Sequence, residues 1–270
     1  MYKFLIMLVC ILFMAQNTTA QAADGKDTAA KTEVSQTQKN SKSDVKKAQE
    51  TDENATEDDD DEDIDWQKIT PEEVQKLIEE GEIKVNEYNY LGHTPLMDAS
   101  LACAKPEVLK VLIENNADVN FYPPTDNPEA ALATSALFLA ASCPIDVVKT
   151  LVRKGAAVNV YGEMGMSLLM HFAAYTNDPK TISYLIRKGA NVRDLDADGN
   201  HVLMYAVMNK ESAHKVINVL LKKGVDINML GINPNNETFS VLDFAESYGL
   251  DADAIKYLRE KGAKHAAELY

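Results

Sequence analysis

The chain has 270 residues, 46% of them hydrophobic, enough for one sizeable core or a stack of smaller ones, and a formal net charge of −15 at pH 7. That balance excludes the basic face needed to neutralise phosphates, so nucleic acid is not an expected partner. The charge is uneven: residues 21–65 hold fifteen Asp plus Glu against six Lys (−9), and residues 66–270 hold twenty-seven against twenty Lys plus Arg (−7).

Residues 4–14, FLIMLVCILFM, are uniformly apolar, follow Lys3 and precede the small-residue stretch AQNTTAQAA. The run falls well short of the roughly 20 residues that cross a bilayer. Residues 1–22 are therefore predicted to be a cleaved export signal, with Ala22 the first choice of cleavage point and Ala20 the second. Cys10 follows Val9, where lipid-attachment sites carry a smaller residue, so lipidation is not expected. The mature chain should be periplasmic or extracellular, with no membrane span after cleavage.

Residues 23–65 contain no aromatic side chain, and Val34, Val45 and Ile64 are their only large aliphatic residues. Too little apolar surface is available to offset the entropy of ordering, which predicts a disordered acidic linker. It ends in EDDDDEDID (57–65), which lacks the alternation and central Gly of a calcium loop and reads as a solvated spacer. Beyond it, TPEE (70–73) predicts a capping box between Thr70 and Glu73, opening a helix that ends near Gly81. Trp66 and Ile69 would cover the apolar edge of the next unit.

The rest of the chain repeats itself. TPLMDA (94–99) recurs as SALFLA (135–140), SLLMHF (167–172), HVLMYA (201–206) and SVLDFA (240–245). IENNADVN (113–120) recurs as VRKGAAVN (152–159), IRKGANVR (186–193) and LKKGVDIN (221–228), with IEEGEIKVN (78–86) upstream. The block ends, Asn86, Asn120, Asn159, Arg193 and Asn228, are 34, 39, 34 and 35 residues apart. A fixed period of this length is the mark of a repeat array.

These two linked motifs resemble the ankyrin repeat family, with its D-x-x-G-x-T-P-L-H-x-A-A pattern and G-A-D-V-N ending. The resemblance implies an all-α solenoid of stacked helix-turn-helix units with hairpin-like finger loops. Its parts are a half repeat at about 66–86 and full repeats at about 87–120, 121–159, 160–193, 194–228 and 229–266. Leu96, Leu137, Leu169, Leu203 and Leu242 become the core column of the first helices. Leu77, Leu112, Leu151, Leu185, Leu220 and Leu258 become that of the second helices. At the following position the residues run Ile78, Ile113, Val152, Ile186, Leu221 and then Arg259, so charge appears only in the last unit, which has no further neighbour to cover. In the pair Thr94–Pro95 the hydroxyl is expected to cap the first helix, and Pro suits a position whose N–H has no helical partner.

Departures from the pattern carry their own expectations. The family's His after the Leu, which bonds the Thr hydroxyl of its unit, is replaced by Met97, Phe138, Met170, Met204 and Asp243. Packing by Met and Phe should stand in for the missing hydrogen bond. Phe172 occupies a column of alanines, and FYPPTDNPEAALA (121–133) predicts a longer, Pro-stiffened finger. Cys103 and Cys143 fall after the first helices of neighbouring units. An oxidising compartment permits a bridge, but adjacent helices about 10 Å apart exceed a disulfide's reach unless the loops lean together, so a Cys103–Cys143 disulfide and two free buried thiols both stay open.

Other chemistry finds weaker support. DLDADGN (194–200) begins like an EF-hand, yet Tyr205 stands where the bidentate Glu belongs. Met164, Met166, Met170, Met204, Met208 and His171 suggest a soft-metal cluster, but Met170 and Met204 fall on a column expected to pack. No His recurs with a nucleophile and no phosphate loop is present, so no catalytic residue, metal or cofactor is expected and the chain is not expected to be an enzyme. The resemblance implies instead a concave surface for a protein partner, formed by fingertips and first helices: Tyr90, Leu91, His93 and Leu101; Leu132 and Thr134; Glu163, Met164, Met166 and Tyr175; Asp198, Asn200, Met208 and Asn209; Asn236, Glu237, Phe239 and Tyr248. The expected function is an exported, non-catalytic scaffold or adaptor. The alternatives are a soft-metal or redox-support protein using the Met/His cluster and a secreted effector that binds a host protein.

Overall fold

The structure, a computed structural model, describes residues 64–122, 135–209 and 211–270. The export signal, the acidic linker up to residue 63 and most of the long second finger, with Leu132 and Thr134, lie outside the described residues.

Helix α1 (Pro71–Glu80) opens with the expected capping box: Thr70 Oγ1 accepts from the Glu73 N–H, and Glu73 Oε2 accepts from the Thr70 N–H at 2.8 Å. Gly81 ends it at φ 82°, a conformation that costs glycine little. Helix pairs follow in order: α2 (Pro95–Leu101) with α3 (Pro106–Glu114), α4 (Ala136–Leu139) with α5 (Ile145–Arg153), and α6 (Leu168–Tyr175) with α7 (Pro179–Arg187). Next come α8 (Val202–Val207) with α9 (Ala213–Lys222) and α10 (Val241–Ser247) with α11 (Ala252–Glu260). First helices pack in a row from α2 to α10, and second helices pack in another from α1 through α3, α5 and α7 to α9.

The fold is helical but not free of strands. In the fifth finger β1 (Gly231–Ile232) pairs antiparallel with β2 (Thr238–Phe239), and Tyr161 and Ser167 form an isolated bridge in the third. The strict all-α expectation is corrected there, because a finger long enough to fold back on itself satisfies its own backbone groups.

The core runs between the two helix rows. All five first-helix leucines are at most 1% exposed, and the second-helix column from Leu112 to Leu258 is fully buried, each contributing on the order of 2 kcal/mol. Leu77 in the opening half unit is only half-buried. Met97, Phe138, Met170 and Met204 are buried where the pattern has His, and Phe172 is fully buried in the alanine column. Packing has replaced the hydrogen bond.

That replacement has a cost at one helix start. Ser135, Ser167 and Ser240 each accept a backbone N–H at the start of α4, α6 and α10, and His201 Nδ1 accepts from Leu203 at the start of α8. Thr94 does not cap α2: its hydroxyl is buried with no partner, since Met97 offers none. An unsatisfied buried hydroxyl costs about 1–3 kcal/mol. Thr94→Val should therefore raise stability by about 1 kcal/mol in urea titrations, whereas Ser240→Ala should lower it by about 1 kcal/mol. A loss in both variants would show that the Thr94 hydroxyl is satisfied.

Neighbouring units are joined by an asparagine clamp. Asn120 Nδ2 donates to the Gly155 carbonyl while its Oδ1 accepts from the Ala157 N–H. The same pair of bonds links Asn86 to Asn116 and Asp118, Asn159 to Gly189 and Asn191, and Asn228 to Gly262 and Lys264. One side chain thus holds a C=O and an N–H of the next turn. At the fourth junction the position is Arg193, which cannot supply this pair because guanidinium has no acceptor.

The array closes at its C-terminal end through Asp243. Its carboxylate accepts from Ser240, from the Ala266 N–H and from His265 Nδ1. Burial alone would raise its pKa, but these hydrogen bonds outweigh it and hold the carboxyl below its ordinary range. Arg259 faces solvent and pairs with Glu246 at 3.0 Å.

Candidate interaction surface on the fingers

The finger loops precede the first helices, and their conformation decides which expected contact residues face outward. Tyr90 is 72% and Met164 62% exposed, while Glu163, Asn236 and Glu237 also face solvent. Leu91, Leu101, Met166, Tyr175, Asp198, Asn200, Met208, Phe239 and Tyr248 are half-buried. His93 and Asn209 are not surface residues. His93 is buried, with Nδ1 on Asp98 Oδ1 at 2.8 Å and its N–H on Asn89 Oδ1, so it pins the first finger to its own helix. Asn209 is buried between units: Nδ2 donates to the Ala173 and Thr176 carbonyls, and Oδ1 accepts from Glu211 and Ser212. With these groups engaged, His93 fixes a finger and Asn209 joins two units, and neither awaits a partner.

Fingers three to five are fitted closely. The Ala197 N–H donates to the Met164 carbonyl at 2.7 Å, and Met164 takes φ 54° to present it. A Cβ at Gly199 would lie 1.9 Å from the Ile232 carbonyl oxygen, so only glycine admits this approach. In the fourth finger Asp196 accepts from the Asp198 N–H, from the Asn200 N–H and side chain, and from the Tyr205 hydroxyl at 2.6 Å. Burial, with Asp196 nearby, raises the pKa of Asp198. The EF-hand-like residues therefore build a turn, with Asp194 bonded to Asn191. No group of three His, Cys, Asp or Glu side chains placed to hold a metal occurs among the described residues. The methionine set is likewise divided, with Met170, Met204 and His171 inside and Met164 outside.

The structure brings forward a surface that the column argument missed. Tyr88, Tyr122, Tyr161 and Leu195, each two residues beyond the block-ending residue of its unit, are 47%, 49%, 48% and 39% exposed. Residues in one register of a stacked array form a stripe along it. The stripe is braced: Tyr88 lies 5.7 Å from Phe121 ring to ring, and the Tyr122 hydroxyl donates to the Tyr161 carbonyl. Apart from Tyr270, every exposed large hydrophobic residue among the described ones is on a finger or its base, including Ile232 in β1. The signal was present in the sequence as Tyr, Tyr, Tyr, Leu and Leu230 after the period markers.

The stripe ends at a cleft. A cavity of about 320 Å³ opens between the turns after α7 and α9, with Val192, Leu195, Val225 and Leu230 as apolar walls and Arg193, Gly224 and Asp226 at its polar side. It lies at the junction that has no asparagine clamp.

The two cysteines are joined. Cys103 and Cys143 form a disulfide with a Cα separation of 5.2 Å, which settles the alternatives left open above. The loops lean together because Cys103 takes φ 57°, as Gly249 does at φ 63° in the fifth unit, and because a 3₁₀ turn precedes Cys143.

Residues 137–230 match the family model for ankyrin repeats in three copies, and residues 91–122 match the single ankyrin repeat model. The chain is an ankyrin-repeat protein. Over 80 residues, 29% of its length, this ankyrin-repeat protein is 30% identical to the phosphocholine transferase AnkX of Legionella pneumophila, a stretch that spans only 8% of that relative. Its fold is similar to a chain in the structure of the Bd0816 predatory endopeptidase from Bdellovibrio bacteriovorus in complex with immunity protein Bd3460. The TM-score is 0.55 at 25% identity, covering 70% of this chain and 92% of that one. Ankyrin repeats bind protein partners through their extended surfaces. No helix among the described residues of the ankyrin-repeat protein is long and apolar enough to cross a membrane.

Proposed function

We propose that the chain is an exported, non-catalytic binding protein whose finger stripe docks a protein partner. The observation that carries this reading is the run of half-exposed Tyr88, Tyr122, Tyr161 and Leu195 in one register. Tyrosine combines a large apolar face with a polar tip and is enriched where interfaces concentrate their energy. Export is supported by the apolar run at 4–14 and by the disulfide, which persists in oxidising compartments. The acidic segment 23–65 would serve as a tether or electrostatic spacer.

The test is cross-linking capture from the envelope of the producing cell, comparing the chain with a Tyr88→Ser, Tyr122→Ser, Tyr161→Ser variant. Truncating three anchors at about 1 kcal/mol each should weaken the partner about 100-fold. Equal capture by both proteins, with matching circular dichroism, would remove the stripe from consideration. The likeness to a chain of the endopeptidase–immunity protein complex favours a second reading, in which the partner is an exported peptidase held inactive. That reading requires the captured protein to lose peptidase activity as the chain is added.

A further inference from the structure

The fourth junction is an asparagine clamp with its asparagine missing. At the other junctions one carboxamide joins a turn carbonyl to the N–H two residues later, as Asn120 does with Gly155 and Ala157 and Asn228 with Gly262 and Lys264. At the fourth, the matching groups are the Gly224 carbonyl and the Asp226 N–H. Neither has a hydrogen-bond partner among the described residues, and Arg193 makes no ion pair there. These groups border the cavity that receives the end of the apolar stripe.

We propose that this cleft is a subsite for an Asn or Gln carboxamide of the partner polypeptide, flanked by apolar side chains that sit against Val192, Leu195 and Leu230. The other four junctions are the template: the fold already binds a carboxamide at each equivalent turn, with its N–H on the carbonyl and its oxygen on the amide. A carboxylate lacks the donor for Gly224, and a hydroxyl cannot span both groups in the same geometry. Replacing Asn by Arg at position 193 leaves the pair unclaimed within the chain and open to a partner. The inference deepens the docking reading of the stripe by naming what its last position recognises.

The experiment is an amide NMR titration of the full chain with three blocked peptides, acetyl-Leu-Asn-Leu amide, acetyl-Leu-Ala-Leu amide and acetyl-Leu-Asp-Leu amide. The Asn peptide should shift the Val225 and Asp226 amides at millimolar concentration and the Ala peptide should not. Arg193→Asn should close the site from within, raising Tm by a few degrees while abolishing those shifts. Absence of shifts with the Asn peptide, equal shifts with the Ala peptide, preference for the Asp peptide, or unchanged binding by Arg193→Asn would each overturn the assignment. The triple tyrosine variant leaves this cleft intact. If the stripe reading alone is wrong, the peptide still binds the wild type while capture does not depend on the tyrosines; if the subsite alone is wrong, the reverse holds.

Discussion

Lowering the pH from 7 to 5 should cost the wild-type chain about 4 kcal/mol more stability than a His171→Leu, His201→Thr variant. His171 is buried against the Phe138 and Tyr175 rings, and burial drives its pKa down to about 3. His201 caps α8 from inside the core. Burial lowers its pKa to about 4, against the opposing pull of the Met229 backbone and Asp196. Both folded values lie below the unfolded value of about 6.5, so the unfolded chain binds more protons. Stability is full above about pH 6.5, falls with a slope approaching two protons as pH drops, and levels off only near the folded pKa values. At pH 5 each histidine contributes about 2 kcal/mol, whether its folded pKa is 3 or 4. Urea titrations of both proteins at the two pH values measure it, and parallel losses would show that neither histidine is held neutral by the fold.

Opening the Cys103–Cys143 bridge should cost about 4 kcal/mol, from the entropy returned to an unfolded loop of about 40 residues. Cys103→Ser with Cys143→Ser removes the bridge but keeps a side chain at φ 57°, whereas Cys103→Gly with Cys143→Ser also relieves that conformation. The glycine variant should be the more stable of the two by about 1 kcal/mol. Because each unit contacts only its neighbours, hydrogen exchange should rise mainly in α2 to α5. Identical urea midpoints with and without reductant would refute the stabilising role of the bridge.

How far the molecule could be read from its sequence differs by element. The leucine columns were legible because a helix buries one side at a fixed spacing, and the stacked units repeat that spacing. Fingers have no such period. By its column His93 is a surface position, but Asp98 and Asn89 hold it inside, and four hydrogen bonds do the same for Asn209. Thr94 failed as a cap because capping depends on where a hydroxyl can turn, and its unit has Met97 in place of a polar neighbour. The tyrosine stripe is legible two residues past each period marker, a column outside the capping and core motifs that define the repeat.

The sequence by itself determined the number of units, the two helix rows and the core that joins them, because burial of periodic apolar residues depends only on local spacing. It also held the substitution of Arg193 into the asparagine column, without its meaning. Tertiary structure decided which loop residues face outward, whether the cysteines meet, and that a cleft lies at the end of the stripe, at the junction without the clamp. Those outcomes depend on angstrom-scale approaches between loops of different units, set by left-handed turns and side-chain hydrogen bonds whose partners lie 30 or more residues away.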